Sequence, residues 1–209
     1  MLTFIYSTVN AGKSANLLMR SHSCSQRDIS HCTFVPEIAS GRDGVSQISS
    51  RIGFKQEAIS LKKTDSPLEI MIDRMVKLYE KVEVIFIDEA QFLTKKQVMD
   101  LSTIVSEFNI PIYAFGLRTD FKGNPFEGSI YLMAWSDNIE EITTFGKGGR
   151  KALFNKKIDA EGNRVSEGDS IDTGFHYTPV TRSEFNLRKY LDPQESDGTS
   201  NIKSELNVK

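Results

Sequence analysis

Two short stretches of this chain carry residue types whose spacing suits them to handling a phosphoryl group. The first is Asn10-Ala11-Gly12-Lys13-Ser14, set between the apolar run 2–6 and the helix-forming segment 15–20. A strand, a tight turn and a helix in that order aim backbone N–H groups and a helix N-terminus at one point, which attracts phosphate. Lys13 is then placed to reach β- and γ-phosphates, and the Ser14 hydroxyl to ligate Mg²⁺. The phosphate-loop pattern begins with a glycine, and Ser7 stands in its place. That glycine shapes the turn and does not touch the phosphates, so the chemistry survives the exchange. The second stretch is Asp88-Glu89, at the end of the nearly continuous apolar run 82–87. Acids at the carboxyl end of a strand buried on both faces sit where open α/β sheets bind ligands. The first would hold Mg²⁺ through water, and the second would lie near the reacting phosphate. Each stretch alone has an ordinary reading, as a loop tripeptide or a strand cap; together they point to a nucleotide site.

The elements that must position them follow from periodicity. The first helix is expected to fade near residues 24–28, before a strand at 32–35. Residues 39–53 are rich in Gly and Ser and carry Arg42 and Arg51. They read either as a mobile loop able to fold over phosphates or as a solvated connection. Ser66-Pro67-Leu68-Glu69 is a helix start, with Leu68, Ile72, Met75 and Tyr79 on the predicted buried face. Thr94 with Gln97 predicts a capping box for a helix that buries Val98, Leu101, Val105 and Phe108. A strand is expected at 110–115. The order β-α-β-α-β-α-β predicts an α/β protein with a doubly wound, largely parallel sheet.

Composition narrows the classes. Hydrophobic residues make up 39% of 209 and charged residues 26%, ordinary values for a globular protein. A formal net charge of −2 speaks against nucleic acid as a partner. No apolar run nears the roughly 18 residues of a membrane span, and no basic-then-apolar leader is expected. The two cysteines, Cys24 and Cys32, fit a reducing cytoplasm. With His22 and His31 they match no standard zinc spacing, so packing and surface positions account for them. Residues 192–209 are polar and aperiodic, and read as a disordered tail.

Further segments bring a family into view. Asp88-Glu89-Ala90-Gln91-Phe92-Leu93, Gly116-Leu117-Arg118-Thr119-Asp120-Phe121, Phe126-Glu127-Gly128-Ser129 and Leu132-Met133-Ala134-Trp135-Ser136-Asp137 resemble thymidine kinase, in the compact cellular type of bacteria and many phages. Asn10–Ser14 and Ser50-Arg51-Ile52-Gly53 fit it as well, and the match runs from about residue 1 to 190. The resemblance implies a phosphate-loop domain over 1–140 and a small β-rich lasso subdomain over 141–191. It implies transfer of phosphate from ATP to the 5′-hydroxyl of thymidine, with Glu89 as catalytic base. Asn10, Ala11, Gly12, Lys13, Ser14, Arg42, Asp88, Glu89 and Gln91 would serve ATP, with Ser14 and Asp88 on Mg²⁺. Phe92, Leu117, Phe121, Phe126 and Tyr177 would surround thymidine. A homotetramer or dimer is implied, in the cytoplasm, or the host's cytoplasm for a phage-encoded member. The other reading is a relative that binds nucleotides without turnover and regulates.

The chain departs from the family in two places. The family clamps its lasso with zinc, through a cysteine pair and a later cysteine with Cys or His. Here the first pair falls in 143–149, without cysteine, and Thr181 and Glu184 stand where later ligands would be. Packing among Phe145, Phe154, Ile158 and Phe185 is expected to replace the metal. In the mobile loop the family's Asp-x-Arg becomes Ser40-Gly41-Arg42. One His among scattered carboxylates cannot close a tetrahedral N/S site, so no zinc is expected. The purified protein should contain no stoichiometric zinc, and strong chelation without nucleotide should leave its melting temperature unchanged; one zinc per chain by elemental analysis would contradict this.

Overall fold

The computed structural model describes residues 1–39, 47–50, 53–169 and 175–186. Arg42, the Ser40-Gly41-Arg42 departure, Arg51 and the 192–209 tail lie outside the described residues. The chain begins with β1 (Leu2–Ser7), α1 (Lys13–Ser25) and β2 (His31–Pro36). Three short strands follow, β3 (Gln47–Ser49), β4 (Lys55–Glu57) and β5 (Ile59–Leu61). Then come α2 (Pro67–Ile72), β6 (Val84–Ile87), α3 (Lys95–Phe108), β7 (Ile112–Leu117), α4 (Glu127–Trp135) and β8 (Asn138–Glu141). The last part holds β9 (Phe154–Ile158), β10 (Arg164–Val165), β11 (His176–Val180) and α5 (Arg182–Phe185).

Six strands form one sheet in the order β5-β2-β6-β7-β1-β8, and every pairing in it is parallel. Its middle strands carry unbroken apolar runs because both faces are covered. Along β1, Phe4 and Ile5 point to opposite faces and both are fully buried. Phe4 joins the layer containing Met71 of α2, Val98, Leu101 and Ile104 of α3 and Leu132 of α4. Ile5 joins Leu17 and Leu18 of α1, with Phe86 and Phe115.

Local signals explain most element ends. Thr94 accepts from Gln97 N and the Gln97 side chain accepts from Thr94 N, the expected capping box. Phe108 is partly exposed instead of buried, because α3 ends there on the left-handed Asn109, and Ile104 takes its place in the core. The face expected for α2 is also wrong in part: Tyr79 is 89% exposed and Ile72 lies at the surface, while Met71 is fully buried. For Tyr79 the cause is a π-helical turn over Asp73–Lys77, which breaks the 3.6-residue register the reading assumed, whereas Ile72 precedes that turn and lies beside the true inward position, Met71. Strand β7 starts at Ile112, two residues later than expected, since Pro111 has no N–H for the ladder. Residues 47–49, read as loop, pair with β4 as a short antiparallel ribbon.

A separate antiparallel sheet has the order β10-β9-β11. Its core is Phe154, Val180 and Phe185, with the two rings stacked at 4.4 Å between centroids. Phe145, expected in that packing, is 66% exposed, and Ile158 is half-buried. Thr181 and Glu184, which the resemblance puts where later zinc ligands would stand, form a second capping box. Glu184 Oε2 accepts from Thr181 N and from Thr181 Oγ1, both at 2.8 Å. The Lys147 backbone N–H, from the facing turn, donates to the same side chain. These residues do not fit zinc: the carboxylate is already engaged, and the described residues contain no cluster of three His, Cys, Asp or Glu.

The Thr181 backbone N–H, then its hydroxyl, hold the Glu184 carboxyl below its usual range. A depressed carboxyl stabilises the fold above its unfolded value and loses that contribution as pH falls through the folded value. Glu184→Ala should cost about 0.5 kcal/mol at pH 7, a fall of roughly 1–2 °C in melting temperature. The gap should close in acid below pH 4.5. Equal melting temperatures at pH 7 would show that Glu184 does not hold the two turns together.

Candidate active site

Strand β1 ends on Ser7, and the turn Asn10-Ala11-Gly12 leads into α1 at Lys13. Gly12 caps the helix with φ 81°, a left-handed conformation that a side chain would strain. Its carbonyl accepts the first helical bond, from Asn16 N at 2.9 Å. The Lys13 side chain folds back over the turn and is 7% exposed. Its Nζ donates to Ser7 Oγ at 3.1 Å and to Thr8 O at 2.9 Å. Ser7 at the usual glycine position thus supplies an acceptor to the buried ammonium. Burial lowers the Lys13 pKa, and the negative charges of Glu89 and Asp88 partly offset this.

Asp88 follows β6 directly and is 4% exposed. Its Oδ1 accepts from Glu89 N at 3.0 Å, and the Ser14 side chain hydrogen-bonds the same carboxyl. Burial first, and the Glu89 charge second, push the Asp88 pKa up to about 6. Glu89 lies in the left-handed region at φ 50°, a backbone that costs a non-glycine residue about 1–2 kcal/mol. The strand end and its tight turn deliver the side chain into a cleft of about 590 Å³, shared with Asn10, Lys13, Ser14, Ser50 and Leu117. A desolvated carboxyl beside a serine hydroxyl is a donor set suited to Mg²⁺, which takes one or two carboxylates and completes its shell with waters and phosphate oxygens.

The apolar residues assigned to the nucleoside fall into two edge-to-face pairs. Phe92 meets Phe126 at 5.4 Å, and Phe121 meets Tyr177 at 6.3 Å. Leu117 lines the cleft beside Glu89. The second sheet reaches the phosphate loop at two points. Asn155 Oδ1 accepts from Val9 N at 2.9 Å, and Asn10 Nδ2 donates to Tyr177 O at 3.3 Å. Asn155 was not legible as a site residue: no local pattern marks an asparagine that bonds across 146 positions. Lys157 was missed too. Lys156-Lys157 looks like a solvated pair, yet Lys157 is fully buried, its Nζ 5.0 Å from the Phe121 ring centre and 4.2 Å from that of Phe175. Gln91, read as a phosphate ligand, is 1% exposed.

A parallel α/β sheet with a buried lysine at the β1–α1 turn and two acids at the end of β6 defines a nucleotide-binding protein of the phosphate-loop kind. The chain belongs to the thymidine kinase family, whose model matches residues 1–185. It is 42% identical to the thymidine kinase of Coxiella burnetii over 188 residues, 89% of this chain and 95% of that one. The Haemophilus influenzae (strain 86-028NP) thymidine kinase is 42% identical over 186 residues, covering 88% and 95% of the two chains. That of Xanthomonas campestris pv. campestris (strain 8004) is 37% identical over 186 residues, 88% of each chain.

Between 3.8 and about 6 the folded protein holds a proton on Asp88 that the unfolded chain releases, so stability falls as pH rises through that window. Asp88→Asn should therefore raise the melting temperature at pH 8 without nucleotide or Mg²⁺. The net gain should be on the order of 1 kcal/mol, since Lys13 loses a counter-charge in the same substitution. The difference should shrink as pH drops from 6 toward 3.8. A lower melting temperature for the variant at pH 8 would refute it.

Proposed function

We infer that this chain transfers the γ-phosphoryl group of ATP to the 5′-hydroxyl of thymidine, giving dTMP in pyrimidine deoxynucleoside salvage. One observation carries the reading: Lys13, Ser14 and Glu89 line a single cleft, in a chain matched to the thymidine kinase family over residues 1–185. Phosphoryl transfer asks a protein chiefly for positioning and electrostatic stabilisation. Lys13, held near the turn by Ser7 and Thr8, would meet the β- and γ-phosphates, exchanging two neutral acceptors for anionic ones. Backbone N–H groups of residues 10–14 would cradle the phosphates. Ser14 and Asp88 would hold Mg²⁺, which when bound neutralises phosphate charge. Glu89 would accept the proton of the 5′-hydroxyl.

The paired rings Phe92–Phe126 and Phe121–Tyr177, with Leu117, are a fitting wall for a flat base bearing a methyl group. The finer architecture belongs to the same reading. It is a doubly wound phosphate-loop domain followed by a lasso subdomain built on β9–β11, closed without zinc and assembled as a homodimer or homotetramer. No described helix is long and apolar enough to cross a membrane, and the reading places the enzyme in the cytoplasm.

The experiment is phosphate transfer from ATP to thymidine, with deoxycytidine as control. Glu89→Gln should fold and bind ATP nearly as before while turnover drops by roughly 10²–10⁴-fold, the range for loss of a general base. Near-normal turnover in the variant would remove Glu89 from that role. No transfer by the unmodified protein would favour a relative that binds nucleotides without turnover.

A further inference from the structure

We propose that Gln91 is a positioning residue that fixes the carboxylate of Glu89, and does not itself contact the phosphates; this rests on the functional reading above. Gln91 sits in the 3₁₀ turn Ala90–Phe92 that follows Glu89. Both ends of its carboxamide are used inside the protein. Its Nε2 donates to Glu89 Oε2 at 2.5 Å, and its Oε1 accepts from Leu117 N at 3.0 Å. The orientation is fixed by chemistry. A backbone N–H can be met only by the oxygen and a carboxylate only by the NH₂, so a flipped amide would oppose like groups at both ends.

The anchor is rigid. Leu117 closes β7, and its main chain is gripped a second time by Ser129 Oγ, which donates to Leu117 O at 2.5 Å. Gly116 leaves the room this arrangement needs. A Cβ there would stand 3.0 Å from both Gln91 N and Gln91 Oε1. Glu89 itself is half-buried and lines the cleft, so its three side-chain torsions would otherwise spread the carboxylate over several positions. A misplacement of about 1 Å at a reacting group can cost on the order of 10²-fold in rate. The sequence motif places Gln91 beside the acids but cannot say which way its carboxamide faces; the bond to Leu117 decides that.

The test is steady-state kinetics of Gln91→Met, near-isosteric but without donor or acceptor, alongside Gln91→Glu. The glutamate can still accept from Leu117 N but presents an oxygen to Glu89. Both variants should lose roughly 10–100-fold in kcat with the ATP KM changed less than about twofold. A raised ATP KM at unchanged kcat would instead make Gln91 a phosphate contact and overturn the proposal. A readout on the unmodified protein covers variants that fail to fold. One Gln91 side-chain N–H proton should exchange slowly with solvent, and Glu89→Gln should speed that exchange. An ordinary, fast-exchanging Gln91 amide would also overturn the proposal. The exchange measurement needs no turnover, so a protein that transfers no phosphate to thymidine fails the functional reading without deciding this one.

Discussion

The buried ammonium of Lys13 is the constraint around which the site is arranged. Taking a cation out of water is expensive unless partners replace its hydration. The turn provides two of these, Ser7 Oγ and Thr8 O, and the strand-end acids provide the opposing charge. The cluster is deliberately unbalanced: Asp88 is held too deep to ionise comfortably, and Lys13 too deep to be a relaxed cation. On the proposed function, such a site would gain when a polyanion and its divalent cation arrive, because Lys13 and Asp88 would then each meet a stronger partner than folding supplies.

Topology makes the cluster possible. The strands that carry the two motifs, β1 and β6, are not neighbours; β7 lies between them. Strands in a sheet stand about 4.8 Å apart, so the two motif ends are separated by roughly 10 Å. That gap leaves the end of β7 as a spacer inside the site. Leu117 occupies the spacer, with one main-chain group bonded to Gln91 and the other to Ser129. The turn after β6 is thereby referred to the middle of the sheet and not to a loop.

What the sequence revealed and what it hid divide along the range of the interactions. The apolar strand runs, the Thr94–Gln97 box and each of the two motifs, at Lys13 and at Asp88-Glu89, are written in a few adjacent residues, and periodicity or spacing exposes them. Tyr79 misled because a π turn changes the helical phase without any residue announcing it, and Ile72 because its apolar neighbour Met71 takes the inward position. Phe145 misled because an aromatic residue close to Phe154 and Phe185 in the sequence reading looks like part of their packing, whereas two facing turns close on the Glu184 carboxylate. Asn155 and Lys157 were invisible for a simpler reason: an asparagine and a lysine on a short strand declare nothing until the chain returns to β1. Arg42 lies outside the described residues, and its reading stands as an expectation.

The bonds from Asn155 to Val9 and from Asn10 to Tyr177 tie residues 146 and 167 positions apart. They close the longest loops in the site, and such contacts form only after the entropy of bringing distant segments together has been met. During synthesis the phosphate-loop residues are made well before β9 and β11, and must wait for them before their turn is latched. The phosphate loop is thus made before the strands that finish it. The stretch from Lys13 to Glu89 holds the lysine and both acids but neither Asn155 nor Tyr177, so the phosphate-loop turn is latched only once the chain has reached β11.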